Sequence, residues 1–336
     1  MEIRGSGRRV LPLVLLLVLA ALAVVLTAAA LGAGGVPGGG ARSGAADARP
    51  GRSASGAGGS DRVDLAARVD AYTAGFGPST PYTSPDEGQR RAIADGVAQA
   101  VEGDRDRAGR SLRTVGYRLT EFVDSGSGRR LTEIADASSA AEAQRGWGRV
   151  YLDLSAKASW SVQVPHPIFD SRTELLGVDV FRAAPGGVLV LAGAHRKAGA
   201  DGSSDPAHRT DTVFDAVTAA LAARGLPGVQ VHGFDEGSLP GRDAVVSGGT
   251  APAGPAADLT ADGLERAGFA VCRAWRDKCG HLEGTTNVQG RFAAGLGVPW
   301  LHVELGNGLR TDPEQRAEVA AVLAATARSW GGAVRP

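Results

Sequence analysis

The sequence predicts an α/β fold: a mixed, partly parallel central sheet with helices on both faces, preceded by an N-terminal hydrophobic helix and a flexible linker. Three observations lead there. Past position 113, strand-like apolar runs alternate with segments of helical periodicity, which is how a sheet covered on both sides is written. An uncharged apolar run spans Val10 to Leu31. Between that run and position 61 the chain is mostly Gly, Ala, Ser, Pro and Arg, with almost nothing large enough to bury.

Arg4, Arg8 and Arg9 precede the apolar run, which only Pro12 and Thr27 interrupt. A membrane-crossing helix needs roughly 20 such residues, and a cleavable signal needs an apolar core of about 7 to 15 followed by small residues. Residues 1–31 satisfy either description, with Ala28-Ala29-Ala30 as a cleavage site in the second. Positive charge holds the N-terminal end in the cytoplasm, so both place the remainder outside, anchored or secreted. Residues 32–60 cannot offset their ordering entropy by burial and are read as a tether.

The rest divides into an accessory helical segment, 61–113, and an α/β domain, 114–336. Ser84-Pro85-Asp86-Glu87 predicts a capped helix start with Pro at the first helical position, running to about Val101. A short helix over Asp106 to Leu112 follows. A hairpin is expected from Val115 to Asp124 and Arg130 to Ala135, turning at Ser125-Gly126-Ser127-Gly128. Strands are predicted at Val150 to Leu154 and Ser161 to Val164. The chain then alternates: helix Glu174 to Ala183, strand Val188 to Ala192, helix Asp211 to Ala223, strands Val229 to His232 and Ala244 to Ser247, helix Leu259 to Ala267, strand Phe269 to Arg273. A short helix at Val288 to Ala294, the strand Trp300 to Leu305 and a helix from Asp312 to Trp330 complete the reading.

Lysine plus arginine balances aspartate plus glutamate, 36 against 36. No global field draws this chain to nucleic acid or anionic lipid. The expected partners are a small-molecule or peptide substrate and, if the N-terminal segment stays uncleaved, the membrane. The only cysteines, Cys272 and Cys279, lie close together, with His281 just beyond. Outside the cytoplasm such a pair is expected to be oxidised. A zinc site there would be one ligand short of a closed set.

All six histidines fall between positions 166 and 302. His166 follows a predicted strand and Pro165, His195 follows another, and His232 closes a third. Carboxyl ends of strands are where crevices form in open α/β sheets. His208 precedes a helix, and His302 lies inside the Trp300 to Leu305 strand. The polar run Thr285-Thr286-Asn287-Val288-Gln289-Gly290 is not a phosphate-binding loop, but it precedes a helix and can line a site. No serine stands in a nucleophile-elbow setting.

In order, Val164-Pro165-His166-Pro167-Ile168-Phe169-Asp170-Ser171-Arg172-Thr173-Glu174, Gly193-Ala194-His195-Arg196, Ala207-His208-Arg209-Thr210-Asp211, Val231-His232-Gly233 and His302-Val303-Glu304-Leu305 resemble the signposts of zinc-dependent amide hydrolases. That group holds the carboxypeptidase A type peptidases, N-formylglutamate amidohydrolases, aspartoacylase-like deacylases and poly-gamma-glutamate hydrolases. The resemblance covers about Trp147 to Arg310 and is specific in order and placement rather than in any one string.

What the resemblance implies is a zinc ion held by His166, Asp170 and His232, with Glu304 as general base. Three N/O ligands with an open position suit that chemistry. The group's carboxylate is commonly glutamate, so Glu174 competes with Asp170; Asp170 is favoured because Glu174 begins a helix expected to point away from the strand end. Arg209 is the candidate for polarising the scissile carbonyl or holding a substrate carboxylate. His195 and Arg196 are candidates for orienting a ligand, with His208 and His302 also near the site. The activity implied is hydrolysis of an amide bond in a peptide or N-acyl amino acid; the rival is a noncatalytic envelope binding module that keeps the fold.

Overall fold

A computed structural model describes residues 61–331; the apolar run Val10 to Leu31 and the linker 32–60 lie outside it. In chain order the elements are β1 (Arg62–Val63), α1 (Leu65–Thr73), α2 (Glu87–Val101), α3 (Arg105–Arg113), β2 (Tyr117–Asp124), β3 (Arg130–Asp136), α4 (Ser139–Arg145), β4 (Arg149–Asp153), β5 (Trp160–Val164), α5 (Thr173–Ala183), β6 (Gly187–Leu191), α6 (Val213–Ala223), β7 (Gly228–Gly233), β8 (Ala244–Ser247), α7 (Pro255–Arg266), β9 (Val271–Arg273), α8 (Val288–Leu296), β10 (Trp300–Leu305), α9 (Asn307–Thr311) and α10 (Pro313–Gly331). Among these residues no helix is long and apolar enough to cross a membrane.

The strands form one ten-stranded sheet in the order β1-β2-β3-β4-β6-β5-β7-β10-β8-β9. Its centre, β6-β5-β7-β10, is parallel throughout. Antiparallel pairing joins β2 to β3, β3 to β4 and β4 to β6 on one side, and β8 to β10 on the other. The predicted mixed sheet with helices on both faces is therefore present. The hairpin β2-β3 turns at the predicted Ser-Gly run.

Central strands are buried on both faces, and side-chain alternation sends their residues to different neighbours. Val162, Val164, Val229, Val231, Val303 and Leu305 join a core with residues of α1, α5, α7 and α10. Each such side chain contributes about 1.5–3 kcal/mol when fully buried. The intervening positions, Ser161 and Gln163 on β5, Gln230 and His232 on β7, His302 and Glu304 on β10, are polar and also buried. A second core, with Ile93, Val97, Leu112, Val188, Val190 and Val217, lies between the sheet and α2, α3 and α6.

Several boundaries differ from expectation for local reasons. Helix α2 is capped by Asp86, not Ser84: its carboxylate accepts from Gln89 N at 2.8 Å while the Gln89 side chain accepts from Asp86 N at 2.8 Å. That reciprocal pair satisfies two end groups at once. The helix expected from Asp312 begins one residue later, at Pro313, because that proline disfavours the helical region for Asp312; Asp312 is extended, separates α10 from the short α9 before it, and caps α10 by accepting from Glu314 N and Gln315 N. Helix α7 starts at Pro255, a first-turn proline that the apolar pattern did not reach. Helix α4 buries no residue, so it has no apolar stripe to read.

One close approach depends on glycine. A Cβ on Gly148, whose φ is +95°, would lie 2.3 Å from Leu191 O, and one on Gly193 would lie 2.1 Å from Gly148 N. The start of β4 thereby packs directly against the loop leaving β6, which carries His195.

Candidate metal centre

Because β6, β5, β7 and β10 are parallel, their carboxyl ends share one edge of the sheet. His166 leaves β5 there, His232 is near the end of β7, and Glu304 on β10 sits in register beside His232. The loop after β5 turns tightly, with Ile168 at φ +66° and Arg172 at φ +67°. This brings Asp170 back under His166, with Asp170 N donating to His166 O at 2.9 Å.

The outcome is a buried triad: one ligand atom each from His166, Asp170 and His232, all within 4.8 Å of one another. Asp170 Oδ2 lies 3.1 Å from His166 Nδ1 and 3.3 Å from His232 Nδ1. Burial opposes ionisation of Asp170, but His166 beside it outweighs this and holds the carboxyl well below the usual carboxylate range. Burial also opposes a proton on His166, yet Asp170 and Asp205 raise its pKa on balance. His232, chiefly through burial and then through its neighbour His302, is pushed down to about 4 and is neutral.

The neutral form of His232 is oriented from behind. Its Nε2 lies 2.8 Å from Gln230 Oε1. Gln230 cannot reverse without losing its own bonds, since its Nε2 donates to Gln163 Oε1 at 3.1 Å and to Gln289 Oε1 at 3.2 Å, while its Oε1 accepts from Asn287. His232 Nε2 is thus the donor and Nδ1 the lone pair, aimed at a carboxylate oxygen. Two acceptors at that distance repel unless a cation lies between them. The donor set therefore fits a metal ion, with two imidazole nitrogens and one carboxylate, one ligand fewer than a closed tetrahedral set.

His166 is held the same way. Its Nε2 lies 2.8 Å from Asp205 Oδ1, and Asp205 is also paired with Arg196. Burial opposes ionisation of Asp205, but His166 and Arg196 lower its carboxyl to about 2. A carboxylate behind a ligating histidine fixes its tautomer. Asp205 was not singled out from sequence. It stands three positions before His208, but its contact with His166 spans 39 positions, which no local pattern reveals.

Glu304 Oε1 lies 3.2 Å from His302 Nε2, while Glu304 Oε2 and His302 Nδ1 are buried without a hydrogen-bond partner in the protein. Such atoms are costly to bury, so this pair holds unused hydrogen-bonding capacity at the carboxyl edge of the sheet. Glu174 is fully buried and turns to the backbone, accepting from Ile168 N at 3.2 Å; it is not in the triad. His195 is buried, its Nδ1 accepts from Lys197 N, and its ring centre lies 5.3 Å from that of exposed Phe169. Arg209 pairs with Asp211, both side chains 41% exposed, and His208 is exposed; neither joins the triad. Asn287 and Gln289, from the polar run before α8, enter the network behind His232. Cys272 and Cys279 form a disulfide.

No family model and no curated protein matches the chain. Solved structures do. The chain is similar to an N-formylglutamate amidohydrolase from Ralstonia eutropha JMP134, with 13% identity and a TM-score of 0.39 over 53% of this chain and 96% of that one. It is similar to a bacteriophage poly-gamma-glutamate hydrolase, with 13% identity and a TM-score of 0.38 over 52% of this chain and 85% of that one. An aspartoacylase family protein from Mesorhizobium loti matches at 11% identity and a TM-score of 0.34 over 62% and 66% of the two chains.

Proposed function

We propose that this chain is an extracytoplasmic, zinc-dependent hydrolase of an amide bond, acting on a peptide or N-acyl amino acid type substrate. One observation carries the reading: His166, Asp170 and His232 converge at the carboxyl edge of the parallel strands, with the free oxygen of Glu304 buried beside them. The preceding apolar segment supports placement outside the cytoplasm, attached to the membrane if the segment stays uncleaved. Zinc, held by these three side chains, would supply Lewis acidity at an open coordination position.

The chain's own residues do the rest. Gln230 and Asp205 hold the two imidazoles so that each presents Nδ1 to the same point. Glu304 accepts a proton at Oε2 from the attacking water and returns it to the leaving nitrogen, a carboxylate serving first as base and then as acid. His302 holds the other oxygen of Glu304, fixing which one faces the substrate.

The test joins metal content to turnover. The purified full-length chain is expected to carry about one zinc, to lose hydrolysis of a panel of N-acyl amino acids and short peptides on chelation, and to regain it with zinc. In Glu304→Gln, hydrolysis should fall by at least about 10² to 10⁴, as expected for loss of a general base, with zinc still bound. A Gln variant that turns over at the wild-type rate removes Glu304 from the mechanism. Stoichiometric zinc with no turnover on any amide would favour a binding module instead.

A further inference from the structure

Arg310, in α9, is 4% exposed, and its guanidinium makes no ion pair with a carboxylate among the described residues. It donates only to backbone carbonyls. Nη1 donates to Ser171 O at 2.6 Å, Nη2 to Phe234 O at 3.3 Å, and Nε to Leu305 O at 3.0 Å and Gly306 O at 3.3 Å. Those carbonyls belong to three different strand-end loops. Ser171 follows Asp170, Phe234 is two residues past His232, and Leu305 and Gly306 follow Glu304.

Burying a guanidinium without an ion-pair partner is unfavourable. Burial works against this charge, and Asp170 and Glu304 supply its leading compensating attraction. The backbone is shaped to receive the group: a Cβ on Gly233 would lie 2.3 Å from Arg310 Cζ. A planar fork with five N–H donors can span three loops in one plane; a lysine ammonium is a point and cannot.

We propose that Arg310 is a positioning residue that fixes the spacing of Asp170, His232 and Glu304 by tying the loops behind them, without itself touching metal or substrate. The inference rests on the metal-site reading above. It makes Gly233 part of the same device, since that position must lack a side chain for the guanidinium to enter.

The experiment uses the full-length chain and three variants, Arg310→Met, Arg310→Lys and Gly233→Ala. Circular dichroism first establishes which are folded. Zinc affinity is then measured by chelator competition, the ligand field by the absorption spectrum of the cobalt(II)-loaded protein, and kcat and KM on whichever amide the wild type hydrolyses. Arg310→Met should bind zinc about 10- to 100-fold more weakly, the range seen when residues behind metal ligands are lost, with an altered cobalt spectrum and kcat reduced more than KM is changed. Arg310→Lys, which keeps the charge, should recover only part of the affinity, and Gly233→Ala should reproduce the loss with the arginine still present. A residue that merely stabilises the fold would leave the zinc affinity and cobalt spectrum of the folded variants at wild-type values, and that result overturns the proposal. If Arg310→Met does not fold, Gly233→Ala decides in the same way. A wild-type chain that binds neither zinc nor cobalt overturns the metal-site reading itself, a different result from unchanged variants of a metal-binding wild type.

Discussion

His166 stands between two carboxylates, and they divide its work. Asp170 faces the side on which a metal would sit, and Asp205 holds the opposite nitrogen. Asp205→Asn keeps the shape but takes away the charge that makes the imidazole a better ligand. Zinc affinity is expected to fall about 10- to 100-fold with the fold intact, measured by chelator competition; unchanged affinity would show that Asp205 has no part in holding the ligand. A second residue carries a pH signature. Burial pushes the Asp215 carboxyl from 3.8 up to about 6, against the hydrogen bond donated by Gln289. Its folded-state pKa exceeds the unfolded one, so its contribution to stability is fully present below about pH 3.8 and is lost as the pH rises through about 6. Asp215→Asn retains an acceptor for Gln289 and removes the titration. Relative to wild type it should gain about 2 kcal/mol between pH 4 and pH 7.5. Urea unfolding at both pH values checks this, and an equal difference at the two ends counts against it.

Elements, not single residues, decide which side chains share a space. The two-residue period of β5, β7 and β10 sends valines and leucines to one face and glutamines, histidines and a glutamate to the other. Much of this deep polar face is tolerated because its members satisfy one another, from Ser161 through Gln163 and Gln230 to Gln289 and Asp215; Glu304 Oε2 and His302 Nδ1 are the exceptions. The disulfide acts at this same scale. It links β9 to the following loop across a separation of seven residues, inside a small cluster with Phe234, Val245 and Leu282. A short closed loop constrains the unfolded chain less than a long one, so Cys272→Ala with Cys279→Ala should cost less than the roughly 2–4 kcal/mol usual for a disulfide. Denaturant unfolding measures the cost, and a loss above that range would mean the bridge holds more than its own loop.

At the scale of the whole molecule, four parallel strands side by side bring groups from positions 166 to 304 to one edge. Arg4, Arg8 and Arg9 ahead of Val10 to Leu31 lead us to propose export, with the cytoplasm retaining the basic end. A reporter active only outside the cytoplasm, fused after Pro336, should be active in cells. An inactive reporter on a stably produced fusion would refute export.

The sequence alone determined the alternation of strands and helices, because side-chain period and turn residues are local properties. It also placed His166, His232 and Glu304 at or near strand ends, because a strand's end is visible where its apolar run stops. It did not show that Asp86 rather than Ser84 caps α2, since both are good caps and only the bond with Gln89 separates them. It favoured Asp170 over Glu174 from the expected helix start alone; the turn that separates them, with Ile168 and Arg172 in the left-handed region, Asp170 directed toward His166 and Glu174 toward the Ile168 amide, is seen only in the structure. Asp205 behind His166, Gln230 behind His232 within its polar network, and Arg310 across three loops became visible only in the tertiary structure. Several of these contacts join residues tens of positions apart, 139 in the case of Arg310 and Ser171, and strand order decides which distant residues meet.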